Sequence, residues 1–218
     1  MTVFLRRVAP LAGLAFAALF LAAFLVSGNS PGTGATGQHV IDWYTKHHDQ
    51  QRVAAFLLAY AALLALIFGG SLRSYLRARS DSRAAINVAS AGFVLLAAGL
   101  GVFSSLSFSL TDDTRKYEPA AAQALNVLDE DFFVILLVGL ASLLLATGFV
   151  IVVSAALPRW LGWVTLVVAV VAMTPVGFFA LLAFIVWSVV VSVLLFIREG
   201  RQPSASVAVP TPQPAPAG

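Results

Sequence analysis

Two polar clusters hold most of the groups that could do chemistry in a chain whose residues are 60% hydrophobic. The first is the stretch IDWYTKHHDQQR, residues 41–52, in which His47 and His48 are adjacent. The second is the acidic run DED, which begins at Asp129 and ends at Asp131. Histidine and carboxylate side chains are common zinc ligands, and a catalytic zinc keeps one position open for water. These two histidines and two aspartates are therefore the candidate metal ligands of a hydrolase-type site.

Helical spacing limits what the histidines can do on their own. Metal ligands on one helix must lie three or four residues apart to share a face. Neither His47 nor His48 has a carboxylate or another histidine at those offsets, whereas His39 and Asp42 do have this spacing. A zinc site with three protein ligands would therefore need donors from both clusters, which lie far apart in the sequence.

The competing interpretation of IDWYTKHHDQQR is an amphipathic cap on an apolar protein. We predict a short helix over residues 38–51, in which Asp42, Lys46 and Asp49 form a solvated charge ladder. The other side of this helix is apolar and suits the headgroup boundary of a membrane. On this interpretation the histidines are exposed, and they could change the charge of the cap near about pH 6. The spacing favours the cap over the metal site.

The acidic run also has a structural interpretation. Pro119 can start a short helix that ends at Leu128, because proline suits the first helical position. The acids would then precede the next apolar helix, where free N–H groups and the helix dipole favour anions. Asp129 is placed to cap that helix. A catalytic role for the run requires it to approach the two histidines.

Long apolar runs must position both clusters. Only 11% of the residues are charged and the mean hydropathy is +0.92, whereas soluble domains have about 25% charged residues. A helix needs about 20 apolar residues to cross a bilayer core of about 30 Å. Four runs meet this length, and a fifth apolar block is so long that it must turn back at MTPVG, residues 173–177. These segments are Val8–Val26, Val53–Leu72, Ala84–Ser109, Phe132–Leu157 and Trp160–Ile197.

We therefore predict an all-α polytopic membrane bundle with six transmembrane helices and two long outer loops that carry short helices. Residues 1–199 form the transmembrane domain, and residues 200–218 form a disordered, Pro/Ala-rich cytoplasmic tail. The fifth helix is the shortest, and a re-entrant segment is the alternative to a full crossing there. The first run is interpreted as an uncleaved helix, because it is longer than the core of a signal peptide, about 7–15 residues.

The distribution of positive charge predicts the orientation. Nine of the 13 Lys and Arg residues fall on one side of this six-helix threading. The positive-inside rule places that side, with both termini, in the cytoplasm of a multi-pass plasma-membrane protein. There the cations are expected to face anionic lipid headgroups, so the basic pI of 9.7 is a sign of topology and does not indicate a nucleic-acid partner. The nine are Arg6, Arg7, Arg73, Arg77, Arg79, Arg83, Arg159, Arg198 and Arg201.

The apolar runs contain no Asp, Glu, Lys, Arg or His, which argues against a proton relay at membrane depth. Their polar residues are small, and the densest group is FSSLSFSL, residues 103–110. Such serines usually bond to their own helix or join two helices, and the alternative is a polar path that they line.

The chain has no cysteine, no Gly-rich phosphate loop and no nucleophile motif, so no cofactor is predicted.

Three segments resemble a known group of proteins: ALNVLDEDFF (124–133), ALPRWLGWVTLVV (156–168) and WSVVVSVLL (187–195). Together with a Y…H stretch ahead of the second apolar run and the layout of residues 1–200, they resemble a family of uncharacterised actinobacterial integral membrane proteins. These are six-helix domains of unknown function. The resemblance implies six helices, but it implies no activity and transfers no catalytic residue.

Three functions remain from the sequence. The first is a non-enzymatic membrane module, such as a scaffold, sensor or accessory subunit, with an acidic outer cap that contains histidines; its protein partner cannot be named. The second is a small carrier or lipid-handling protein with a path between the helices. The third is a metallohydrolase at the membrane boundary, built on the candidate ligands. The charge-free helices favour the first, and catalysis is not expected.

Overall fold

The computed structural model describes residues 9–112 and 114–200, with the side chains of 199 and 200 left aside. All regular secondary structure in this part of the chain is helical, which confirms the predicted all-α class. The predicted tail lies outside the described residues, apart from Gly200, where the last helix ends.

Eight α-helices follow one another with short connections. They are α1 (Ala12–Ser27), α2 (Gly37–Lys46), α3 (His48–Arg77), α4 (Arg83–Asp112), α5 (Pro119–Asp131), α6 (Phe133–Ser154), α7 (Arg159–Ala172) and α8 (Phe178–Gly200). Two 3₁₀ turns complete the described regular structure, one over Ala9–Leu11 before α1 and one over Thr114–Lys116 before α5.

Five helical segments in the described residues are long and apolar enough to cross a membrane. They are α1 with its preceding turn, α3, α4, the nearly continuous segment α5–α6, and α8. These segments are typical of a membrane protein. The α5–α6 segment has 36 residues, or about 54 Å of helix, which is too long for the bilayer core. Only its charge-free part from Phe132 onwards is therefore treated as spanning, and α5 lies outside the membrane-spanning part.

The fifth predicted crossing corresponds to α7, which has only 14 residues, or about 21 Å of helix. Its path follows α6 in the opposite direction. At the start of α7, a Cβ on Gly162 would lie 2.8 Å from Val152. In the turn after α7, a Cβ on Gly177 would lie 2.7 Å from Leu137. The segment from α7 to this turn thus runs antiparallel along most of α6.

Close backbone contacts hold the long helices together. A Cβ on Gly92 of α4 would lie 2.5 Å from the backbone nitrogen of Leu143, and one on Gly139 of α6 would lie 2.7 Å from that of Leu96. Glycine at both positions lets the two backbones touch, which is how apolar helices gain packing energy in lipid. On α1, a Cβ on Gly13 would likewise collide with Ser192 Oγ of α8.

One end of the bundle is closed by a hydrogen-bonded junction. The Tyr75 hydroxyl of α3 and the Arg198 guanidinium of α8 both donate to the carbonyl of Ala156, at 3.0 and 2.6 Å. That carbonyl follows Ala155, whose φ of 50° ends α6 in the left-handed conformation. Since many of the predicted inner arginines lie near these helix ends, we call this the basic end; the opposite end, which carries α2 and α5, is the cap end.

Candidate binding cavity at the cap end

The two loops predicted to lie outside converge into a cap made of α2 and α5. Val40, Ile41 and Tyr44 of α2 are buried with Ala122 of α5 and Leu110 of α4 in an apolar cluster separate from the main core. The apolar side of α2 therefore packs against protein, and the expectation that it lies on the headgroup boundary is wrong. The reason is tertiary: α5 offers a second amphipathic surface, and burying two apolar faces together removes both from water.

The predicted helix over residues 38–51 is also wrong, because the helix breaks at His47. Its ring Nδ1 lies 2.9 Å from the Trp43 carbonyl oxygen, and its ring stacks on Trp43 with centroids 4.3 Å apart. The break assigns Asp49 to α3 and leaves Asp42 and Lys46 on α2.

The predicted charge ladder consequently does not form. Asp42 accepts a hydrogen bond from the Gln38 amide at 3.0 Å, and Asp49 pairs with His48 at 3.0 Å. In the described part of the chain, no ion pair joins Lys46 to either aspartate.

A second break, at Phe132, separates α5 from α6 and changes the role of Asp129. Helix α5 continues to Asp131 instead of ending at Leu128, so Asp129 lies in its last turn and does not cap α6. The first residue of α6 is Phe133, and no side chain caps it. The Asp129 side chain is instead only 7% exposed, and one of its oxygens accepts a hydrogen bond from the Ser107 hydroxyl at 2.9 Å.

A cavity of about 400 Å³ lies beneath the cap, between α1, α3, α4, α6 and α8. Its volume falls within the range of small-molecule sites, about 300–1,000 Å³. The lining is polar where it meets the cap: Ser27, Ser30, Tyr44, Gln51, Ser107, Asp129 and Glu130. The rest is apolar and rich in phenyl rings: Phe20, Ala23, Phe24, Ala54, Ala55, Leu58, Phe103, Phe133, Leu136, Phe178 and Leu181.

Among the described residues that line the cavity, the ionisable acids are Asp129 and Glu130, and there is no Lys, Arg or His. The charge of the lining is therefore negative. Burial raises the pKa of Asp129 to about 7; the Ser107 hydrogen bond acts against this rise, and the neighbouring Glu130 adds to it. Glu130 is half-buried and accepts a hydrogen bond from the Ser30 hydroxyl at 2.7 Å. The carboxyl of Asp129 is therefore a group that exchanges its proton near neutral pH.

Tyr44 presents an unused hydrogen-bonding group to the cavity. The residue is 2% exposed and lines the cavity, and its hydroxyl makes no hydrogen bond within the described residues. Burial, and then the charges of Asp129 and Glu130, raise the pKa of Tyr44 well above its usual range. The hydroxyl consequently stays protonated, and buried hydroxyls of this kind usually have a partner.

The candidate metal ligands do not come together. His47 is held by Trp43, His48 lies beside Asp49, and Asp131 is exposed. In the described ranges, no hydrogen bond or ion pair joins either histidine to Asp129 or Asp131. The same residues contain no group of three His, Asp or Glu side chains that could hold a metal. Of the four candidates, only Asp129 lines the cavity.

The sequence did not mark Tyr44 or Gln51 as site residues, and it marked Glu130 only as a member of the acidic run. Gln51 is 3% exposed and bonds to the end of α1 through its amide, which donates to the Ser27 carbonyl at 2.6 Å. Ser107 was part of the predicted serine path, and it does line the cavity. Its neighbour Ser105 is exposed and bonds to its own helix at Gly101. The sequence did contain a signal: Ser107 lies about half a helical turn from Ser105, so that the two serines are on opposite faces of α4.

Comparison of the chain with protein-family models, curated proteins and solved structures gave no match. The resemblance to six-helix actinobacterial membrane proteins therefore stays a prediction, and the functional argument depends on the geometry of the cavity.

Replacing Asp129 by asparagine should change how stability depends on pH. The pKa of Asp129 is about 7 in the folded protein, against a usual value of 3.8, so folding becomes less favourable as pH rises between these two values. The asparagine of Asp129→Asn does not ionise, so the variant does not lose stability in this way, and its side-chain oxygen can still accept the Ser107 hydrogen bond. Thermal unfolding in detergent should show the variant gaining stability over the unchanged protein as pH rises from about 4 to about 7. Asp131→Asn, an exposed neighbour, is the matched control; parallel curves for all three proteins would contradict the assignment.

Proposed function

We propose that this chain is a non-enzymatic, lipid-handling membrane protein that binds a small amphiphile in the cavity at the cap end. The observation that carries the proposal is the division of one 400 Å³ cavity into a polar end and an apolar, phenyl-rich remainder. An amphiphile matches both parts, since its head satisfies the buried polar groups and its chain covers the apolar wall. The metallohydrolase has no comparable support, because the described residues contain no group of three possible metal ligands around the histidines.

Access from the bilayer fits the position of two phenyl rings. Phe24 of α1 and Phe178 of α8 both line the cavity, and their ring centroids lie 6.1 Å apart. Each ring is also about half exposed. We therefore assign this pair as the route by which an amphiphile passes between the lipid and the cavity.

The same proposal includes the finer topology: six crossings in the plasma membrane, with both termini cytoplasmic and the cap end outside. Support comes from the direction of α7, which returns along α6 from the basic end towards the cap end, so that successive long helices alternate. The arginines near the basic end agree with the positive-inside rule. Anionic headgroups would face that end.

Cysteine labelling tests this orientation, because the chain has no cysteine of its own. Thr33, at the cap end, and Ser74, near the basic end, are both exposed. We expect an impermeant thiol reagent applied to intact cells to label Thr33→Cys, and to label Ser74→Cys only after the cells are permeabilised. The reverse pattern would show that the cap faces the cytoplasm.

Filling the cavity tests the binding function. Ala23 of α1 lines the cavity and is 1% exposed, so the ring of Ala23→Phe would occupy the space that a ligand needs. Native mass spectrometry should detect single-chain decyl amphiphiles on the unchanged protein and a loss of most of that binding in the variant.

Ala18→Phe on the same helix is the matched control, because Ala18 is exposed. It should bind as the unchanged protein does. No binding of any decyl amphiphile, or equal binding by Ala23→Phe, would overturn the proposal.

A further inference from the structure

We propose that the ligand of this cavity is a cationic amphiphile, with an amine or ammonium head held by Asp129 and Glu130 and a single apolar chain. This inference rests on the proposed function, and it adds the chemical class of the ligand. The inference is argued from the charges of the side chains at the polar end of the cavity and from the oxygen atoms there that have no hydrogen-bond partner.

The charges at the polar end are unbalanced. Two carboxylates line the described cavity, with no cationic side chain among the lining residues to pair with them. A buried carboxylate is costly unless it is paired with an opposite charge or neutralised. A ligand with a positive head would supply that pair, whereas an anionic head would add a third negative charge in a confined space.

The hydrogen-bonding groups match an ammonium head. Ser107 occupies one oxygen of Asp129, at 2.9 Å, and within the described residues no donor is bonded to the second oxygen. Ser30 occupies one oxygen of Glu130 in the same way. Tyr44 lines the cavity, and its oxygen has no hydrogen-bond partner within the described residues. A primary ammonium has three donors and no acceptor, and this end of the cavity offers three such acceptor atoms.

The rest of the lining argues against a bare metal ion. Phenyl rings and aliphatic side chains form most of the wall, and a small cation would leave this surface uncovered. The described residues also contain no third carboxylate or histidine grouped with Asp129 and Glu130. Phenyl faces attract organic cations through their quadrupole and bury alkyl chains equally well, so both parts of a cationic amphiphile have a partner here.

The test is a series of ligands that differ only in the head. Decylamine, decanol and decanoate are added to the purified protein in detergent at about pH 8, where Asp129 is mostly ionised and the amine is protonated. Native mass spectrometry measures the fraction of protein bound. We expect decylamine to bind at least about tenfold more tightly than decanol, the effect of one charge-assisted hydrogen bond, and decanoate to bind least.

Charge-removing variants show whether the preference arises in this cavity. Asp129→Asn and Glu130→Gln should each reduce the preference for decylamine over decanol, while decanol binding is kept. Asp131→Asn removes the same charge from the exposed neighbour and should keep the preference of the unchanged protein. Decanol binding by each variant also reports that the fold and the cavity are intact.

The outcomes separate this inference from the proposed function. Equal or tighter binding of decanol or decanoate would overturn the cationic class and leave lipid handling in place. A preference for decylamine that survives in both Asp129→Asn and Glu130→Gln would also overturn it. Failure of all three ligands to bind would overturn both proposals.

Discussion

Burial of the Asp129 carboxyl at the junction between cap and bundle is the constraint on which the site depends. The group lies at the end of α5, under the cap, and the Ser107 hydroxyl of α4 is its hydrogen-bond partner. A carboxyl in that position has little contact with water, and burial accordingly raises its pKa. Tyr44, which lines the same cavity, is buried as well, and within the described residues its hydroxyl has no hydrogen-bond partner. Burial of such groups costs a fold free energy unless they are paired, and we therefore propose a role in binding for them.

Two helix breaks create the space around this group. The helices are interrupted at His47 and at Phe132, and the short helices α2 and α5 pack on each other at the cap end of the bundle. Two contacts fix this cap: the buried Asn126 amide of α5 donates to the Pro31 carbonyl at 2.9 Å, and Gly37 of α2 packs directly on Pro119 of α5. The cap therefore lies over the polar end of the cavity.

Much of the fold could be predicted from the sequence, because apolar length and helix-breaking residues report local structure. The all-α class, the long apolar helices and the turn at residues 173–177 were predicted in this way. The ends of helices were harder to predict. Helix α5 continues to Asp131 because the next turn is also helical, and no residue type in the sequence indicates where α5 ends. The cavity could not be predicted from the sequence, because Tyr44, Ser107 and Asp129 come from three segments that meet only through tertiary packing. The adjacent histidines were the stronger chemical signal, yet they lie outside the cavity, while the acidic run contributes Asp129 and Glu130 to it.

We propose that the cap end is a receptor for an amphiphile, with its polar head under α2 and α5 and its chain among the phenyl rings. The most direct measurement is a high-resolution cryo-electron microscopy map of the protein extracted from its native membrane. The account predicts elongated density in the cavity, with its polar end within hydrogen-bonding distance of Tyr44 and Asp129. A cavity filled by protein side chains, or a map that places Asp129 in open contact with solvent, would contradict it.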